Sequence, residues 1–307
     1  RALAIIGPTA SGKSALAMDI ASRADSEIIS IDSRQIYKRL DIGTAKPSGD
    51  DRRRVPHHLL DILELWEKSN ASGFARLAEE AVEGVNSRGR LPILVGGSGL
   101  YLRALLEGLF QIGLDPSERE AFARSVAGEA TESLRERLAG EDPESAARIH
   151  PNDRYRIVRA LEVLSLSGTT LGGHFRLQRD SMARAVPFPC LKIGLDPGRE
   201  LLHRRINSRT AAMVERGWIT EVEDLLRGGA DPSSPGMKTL GYPEVVAHIR
   251  GETALDTMIE RISALTRQYA KRQMTWFRKE RDVKWVDTGS GDLAGTVLKL
   301  LDSAAIT

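Results

Sequence analysis

The chain has 307 residues, enough for two units of ~150 residues each. Hydrophobic residues make up 41% and charged residues 28%, which supplies a core and excludes a disordered or fibrous protein. The 44 basic and 42 acidic residues leave a net charge of +2, so the total alone gives no preference for nucleic acid, and no apolar run approaches the ~18 residues of a membrane span.

The first segment, Leu3 to Ile6, is a short apolar run ending in a glycine and reads as a buried parallel strand. It runs directly into a glycine loop, with no signal peptide ahead of it, and the missing Met reads as a trimmed start. Gly12 to Arg23 has helical periodicity. Glu27 to Ile31 predicts a second strand leading to Asp32. Arg39 to Pro56, rich in Gly, Pro and Asp, reads as irregular. Phe74 to Asn86 predicts a helix, Leu91 to Val95 a third strand closed by Gly96-Gly97, and Leu100 to Glu107 another helix. Strands alternating with helices imply a parallel sheet covered on both faces.

From Asp115 to about Ser167 only helical periodicity is present. The strand signal resumes at Cys190 to Leu195. Cys190 is the single cysteine, which excludes an internal disulfide and a cysteine-rich zinc site and fits a cytoplasmic protein. Helices are expected over Glu200 to Arg216, Glu221 to Leu226 and Ala254 to about Arg278, with Val283 to Val286 as a last strand. The fold class is therefore α/β, a P-loop NTPase-like parallel sheet flanked by helices. Residues 1–114 and 188–307 form the core, and 115–187 an all-helical insertion domain.

Gly7-Pro8-Thr9-Ala10-Ser11-Gly12-Lys13-Ser14 matches the pattern G-x-x-x-x-G-K-[ST], between a predicted strand and a predicted helix. Small residues let backbone N–H groups point into one concavity, and the helix N-terminus adds partial positive charge. Lys13 places a cation on a terminal phosphate, and the Ser14 hydroxyl is a ligand for Mg²⁺. The loop specifies a polyphosphate, not a reaction, and a kinase or NTPase is its default reading. Against that default, the third strand ends in Gly96-Gly97 and offers no carboxylate at its tip. Asp32, at the end of the second strand, is a metal ligand or a general base, since strand C-termini point into the ligand crevice.

Further blocks go beyond a phosphate loop. They are Asp32-Ser33-Arg34-Gln35-Ile36-Tyr37, Asp41 to Pro47, Pro56 to Asp61, Gly96 to Tyr101, His150 to Asp153, Arg159 to Val163, Leu240-Gly241-Tyr242 and Tyr269 to Arg278. With the loop, in this order along nearly the whole chain, they resemble the tRNA dimethylallyltransferase (tRNA isopentenyltransferase) family. The resemblance implies dimethylallyl diphosphate as donor, Mg²⁺, and the anticodon stem-loop of tRNA as partner, with a monomeric protein. It implies transfer to the exocyclic amine of the adenosine beside the anticodon, a base extruded from its stack to be reached.

By the same resemblance Asp32 is the general base, and Ser98, replacing a Thr common in the family, joins it in catalysis. Gly7 to Ser14 and Arg209 hold the diphosphate. Contacts to tRNA fall on Asp32, Ser33, Arg34 (a Met in many relatives), Gln35, Ser98, Arg119, Tyr155, Arg156, Arg159, Lys238, Gly241, Tyr242, Lys271 and Arg272. A sibling enzyme that prenylates free adenine nucleotides, a P-loop kinase or NTPase, and a tRNA-binding protein without activity are the alternatives. The basic C-terminal helix favours tRNA over free nucleotide.

Charge is unevenly distributed. Asp115 to Glu144 holds nine acids and four bases, a local −5, which reads as a solvated face. Arg261 to Lys284 holds eight bases and two acids, a local +6. There Met258, Ile262, Leu265, Tyr269 and Trp276 form a predicted core stripe, while Arg267, Lys271 and Arg278 fall on another face. Arg154, Arg156 and Arg159 make a second basic patch. Both patches suit a phosphate backbone. His57-His58 lacks companion metal ligands and reads as structural or tRNA-adjacent. Trp218, Trp285 and Cys190 are expected in the core.

Overall fold

The computed structural model describes residues 1–108, 114–174, 176, 188–289 and 291–303. The chain divides into two compact units, Arg1–Gly108 with Val186–Thr307, and Leu109–Ala185. The insertion boundary expected at 187 lies outside the described residues.

The first unit is built on a six-stranded parallel sheet. Its strands are β1 (Ala2–Ile6), β2 (Ser26–Ser30), β3 (His57–His58), β4 (Leu91–Gly96), β5 (Cys190–Leu195) and β6 (Val283–Val286). Their order is β3-β2-β4-β1-β5-β6. The central strands β1 and β4 are apolar along nearly their whole length because both faces are covered. Leu3 and Ile5 of β1, Ile93 of β4 and Ile193 of β5 are fully buried and share one cluster with Leu16 and Ile20 of the helix α1 (Lys13–Arg23). Each such side chain contributes about 1.5–3 kcal/mol of burial.

Two further helices precede and follow β3: α2 (Gly49–Arg54) and α3 (Ala71–Ser87). The segment expected to be irregular thus contains α2. Ser48 starts it with a reciprocal bond to Asp51, a local signal that a Pro- and Gly-rich composition obscures. The helix α4 (Gly99–Glu107) leaves the tip of β4. Cys190 lies in β5, where burial pushes its thiol up to about 12, so it is no nucleophile.

After β5 come α9 (Arg199–Glu215), α10 (Trp218–Arg227), α11 (Tyr242–Ile249) and α12 (Leu255–Phe277). After β6 comes α13 (Leu293–Ser303), which packs against α1 through Ala294 and Val297. Trp218 is fully buried, but Trp285 is 40% exposed, against its expected place in the core. It stands on β6, an edge strand with a single neighbour, where one side of the ring lies open. The stripe on α12 also differs from expectation. Met258, Ile262, Ala270, Met274 and Phe277 are buried, whereas Leu265, Tyr269 and Trp276 are half-buried. Tyr269 is turned toward a cavity, and Trp276 is covered by the Arg103 guanidinium at 4.6 Å.

The second unit holds α5 (Pro116–Ser125), α6 (Thr131–Glu141), α7 (Pro143–Arg148) and α8 (Arg154–Ser167). Their apolar faces meet in one cluster around Leu134, Leu138, Ile157 and Leu161. Asp115, Asp142 and Asp153 cap three of the helices by accepting from backbone N–H groups.

Candidate active site

The glycine loop joins β1 to α1. Gly12 adopts φ 101°, a left-handed conformation at the start of the helix, and no side-chain cap from Gly12 covers its first N–H groups. Lys13 Nζ donates to the Pro8 carbonyl at 2.6 Å, folding the side chain back over the loop. The Ser11 hydroxyl is buried without a hydrogen-bond partner among the described residues, and Ser11 lines the cavity above the loop. An unsatisfied buried hydroxyl beside an uncapped helix N-terminus is a cradle for an anion.

That cavity has a volume of about 590 Å³. Thr9 to Ser14 form one wall, and Arg205 and Arg209, from α9, another. Arg205 carries no motif of its own in the sequence. It lies four positions before Arg209, so both stand on one helix face, and its Nη1 donates to the Ser11 carbonyl at 3.3 Å. Burial lowers the pKa of Lys13 to about 7, with the charge of Arg209 adding to the effect and Asp32 opposing it. Arg209 is likewise lowered by burial, with Asp32 again opposing. Two cations held out of water have a large affinity for an incoming anion.

Asp32 follows β2 and accepts from the Arg34 N–H at 2.8 Å through one oxygen. It lines the phosphate cavity and also a second cavity of about 370 Å³. Thr9, Ala10, Thr44, Arg209 and Tyr269 are shared in the same way. The second cavity is apolar on one side, through Ile206, Met213, Trp218 and Ile262. On another it is polar, through Ser33, Arg34, Lys238 and Arg272. A carboxylate thus stands where a phosphate cradle meets a half-apolar pocket.

The structure separates the remaining site expectations. Ser33, Arg34, Lys238 and Arg272 are gathered at the second cavity, and Lys271 is exposed one position earlier on α12. Arg272 lies over the Tyr269 ring at 5.8 Å. Ser98 lies outside the linings of both cavities. Its hydroxyl accepts from the Ser33 N–H at 3.1 Å, so it braces the turn that carries Asp32. Gln35 lines the phosphate cavity, but its amide is committed: Oε1 accepts from Ser30 Oγ, and Nε2 donates to the carbonyls of Thr44 and Ala45. It ties the end of β2 to the loop at Thr44 and Ala45.

Gly241 and Tyr242, expected to contact tRNA, are both buried and line neither cavity. A Cβ on Gly241 would lie 2.2 Å from the Trp218 ring. Tyr242 donates its hydroxyl to Glu221 at 2.7 Å, and burial raises its pKa. The same Glu221 carboxylate accepts from the N–H groups of Asp41 at 3.0 Å and Ile42 at 2.6 Å. It thereby holds the loop whose Gly43 and Thr44 line the second cavity. Nothing in the local sequence around Glu221 marks this role.

In the helical unit, Arg119 and Arg159 share the buried carboxylate of Glu162, at 2.7 and 2.6 Å. Arg156 is paired with Asp153 at 3.5 Å and largely exposed, and Tyr155 is 81% exposed. Arg154 departs from the basic-patch reading. Its guanidinium donates to the carbonyls of Val126, Ala127 and Glu129, closing the C-terminal end of α5. In the +6 segment, Arg267 donates to Asn207 and Arg278 pairs with Asp196, so part of that charge is also engaged. His57 and His58 form β3; His58 pairs with Glu27, whose pKa its ion pairs with Arg88 and others lower to about 2. His58 is thus structural, while His57 also lines the loop cavity.

A parallel sheet with a glycine loop at the tip of an interior strand, two desolvated cations over it and a carboxylate beside it define a P-loop-type phosphate-binding protein. The family model for IPP transferase matches residues 35–280. The tRNA dimethylallyltransferase of Geobacter metallireducens is 46% identical over 288 residues, covering 94% of this chain and 92% of the relative. The tRNA dimethylallyltransferase 2 of Geotalea uraniireducens is 47% identical, covering 92% and 91%. Among solved structures, the full-length tRNA isopentenylpyrophosphate transferase of Bacillus halodurans superposes with TM-score 0.71 at 35% identity, covering 99% of this chain and 95% of that one. A eukaryotic dimethylallyltransferase acting on tRNA gives TM-score 0.80 at 26% identity, covering 99% and 78%. The chain belongs to the IPP transferase family.

Proposed function

We propose that the protein transfers a dimethylallyl group from dimethylallyl diphosphate to the exocyclic amine of the adenosine 3′-adjacent to the anticodon in tRNA, releasing diphosphate. The observation that carries this reading is the position of Asp32 and Arg209 in the walls of both cavities. The diphosphate occupies the loop cavity. The adenine enters the second cavity from the side of Arg34, Lys238 and Arg272. The reacting carbon and nitrogen then meet beside Asp32.

The amine attacks the first carbon of the donor as the carbon–oxygen bond breaks, and the electron pair leaves on the diphosphate. Lys13, Arg205 and Arg209 neutralise the charge that grows there. Asp32 takes the proton from the amine. Oxygen groups lining the loop cavity, the Ser14 hydroxyl and the Asp51 carboxylate, fit a hard divalent cation. We assign this cation as Mg²⁺, which Ser14 would hold and which would supply further neutralisation of the leaving group. The names of the relatives support the substrate reading. The Gly96-Gly97 turn at the tip of β4, with no carboxylate, supports a prenyl donor over a nucleotide triphosphate.

No helix among the described residues is long and apolar enough to cross a membrane. We read the protein as a cytoplasmic monomer that meets its tRNA through the anticodon stem-loop. The test offers labelled dimethylallyl diphosphate and Mg²⁺ with unmodified tRNA, AMP or ATP in parallel. Label in tRNA alone is the expected result. Label in AMP would assign the nucleotide-prenylating reaction instead, and ATP hydrolysis without transfer would overturn both.

A further inference from the structure

We infer that Gln273 is a positioning residue of the transfer reaction, its side-chain amide holding the donor loop in the shape that receives diphosphate. The inference rests on the donor reading above. Gln273 lies on α12, 264 positions after the loop, and is 6% exposed. Its Oε1 accepts from the Thr9 N–H at 2.8 Å. Its Nε2 donates to the Gly97 carbonyl at 2.9 Å. One amide therefore joins the two glycine turns that cap adjacent strands, β1 and β4.

The geometry leaves little freedom. Thr9 offers a donor and Gly97 an acceptor, so the amide has one orientation that satisfies both. A Cβ on Gly97 would lie 2.1 Å from Nε2, so the close approach needs glycine at that position. Within the loop, Lys13 holds the Pro8 carbonyl. Gln273 holds the next residue from outside. Between them they fix the segment Pro8-Thr9, which precedes Ala10 in a left-handed conformation at φ 62°. Thr9 and Ala10 line both cavities, so a shift of this segment moves the wall that the donor and the acceptor share. Preorganisation of such a wall acts on binding and on reaction geometry together.

A merely structural glutamine would lower the melting temperature of its variant and leave donor binding unchanged. The experiment uses the full chain. Calorimetry measures the affinity of inorganic diphosphate with Mg²⁺, and steady-state kinetics give KM for dimethylallyl diphosphate and for tRNA separately. For Gln273→Met, we expect diphosphate Kd and donor KM to rise about tenfold while KM for tRNA stays within about twofold, the loss of roughly one buried hydrogen bond's worth of order. Gln273→Glu keeps length and the acceptor toward Thr9 but loses the donor toward Gly97. It also sets a carboxylate against that carbonyl and a negative charge in the wall of the anion cavity, so its rise is the larger of the two, and Gln273→Asn, neutral but too short to hold both partners, carries the test where the Met variant does not fold. Unchanged diphosphate affinity in a folded variant, or a rise in KM for tRNA alone, overturns the role of Gln273. Wild-type protein that fails to bind diphosphate overturns the donor reading and this inference together. Wild-type protein that binds diphosphate without prenylating tRNA overturns the acceptor reading only, and the variant's affinity still decides the role of Gln273.

Discussion

The cations of the loop cavity and those of the helical unit are the same residue types in opposite states. Lys13 and Arg209 are withdrawn from water, and burial lowers both pKa values. In the helical unit Arg119 and Arg159 share Glu162, and Arg154 is spent on three carbonyls. The first group stores electrostatic work that an anion releases. The second has already released it into the fold. Counting basic residues does not separate a site from a scaffold; solvation and prior pairing do.

The comparison breaks most visibly at the carboxylate between the two cavities. Asp32→Asn keeps the shape and removes the base, so kcat should fall by about 10²–10⁴-fold. Binding of tRNA, measured by filter retention, should be nearly unchanged, and near-normal turnover would remove Asp32 from its role. Next in size is Lys13→Met, which should weaken diphosphate binding by about 10–100-fold, the scale of one lost charge-assisted contact.

The same lysine gives a pH signature. Free, it loses its proton near pH 7, and bound diphosphate restores the charged form. Binding at pH 8 should therefore take up a proton, read by calorimetry in buffers of different ionisation enthalpy, and Lys13→Met should abolish that uptake. In the free protein the sign for stability follows. Between about pH 7 and 10.5 the unfolded chain keeps the proton and the folded chain does not, so the penalty for burying Lys13 is full below pH 7 and is relieved as pH rises.

A scaffold cation should behave in the opposite way. Arg154→Ala uncaps α5 and should lower the stability of the helical unit by about 1–3 kcal/mol, seen in thermal melts, with donor KM unmoved. The smallest effect belongs to an exposed cation. Lys271→Ala should weaken tRNA binding less than tenfold and reduce the slope of log K against log salt by about 0.7–0.9. An unchanged slope would remove Lys271 from the RNA contact.

Much of the sheet was legible because its strands are short apolar runs beside turn residues: β1, β2, β4, β5 and β6 all fall on such runs. The two-residue β3 has no apolar signal, since His57-His58 meet β2 through backbone pairing and the His58–Glu27 ion pair. The helices α11 and α13 were missed. The first is only eight residues long and sits in a glycine- and proline-rich stretch. The second follows a turn-rich segment near the chain's end. The spacing on α12 places Trp276 in the core stripe. Spacing finds the face of a helix, but the depth of burial depends on what covers that face, here Arg103.

The sequence by itself determined the strand–loop–helix around Lys13, the acid at the end of β2, and the contrast between a −5 segment and a +6 segment. These are local properties, carried by adjacent residues whose backbone preferences and charges act over a few positions. Only the tertiary structure decided that Arg205 and Arg209 lean over the loop and that Glu221 clamps residues 41 and 42. It also decided that Gln273 joins Thr9 to Gly97, and that Tyr242 and Gly241 are sealed under Trp218. Those contacts bring together groups up to 264 positions apart, and their energy comes from desolvation and geometry that no local pattern records.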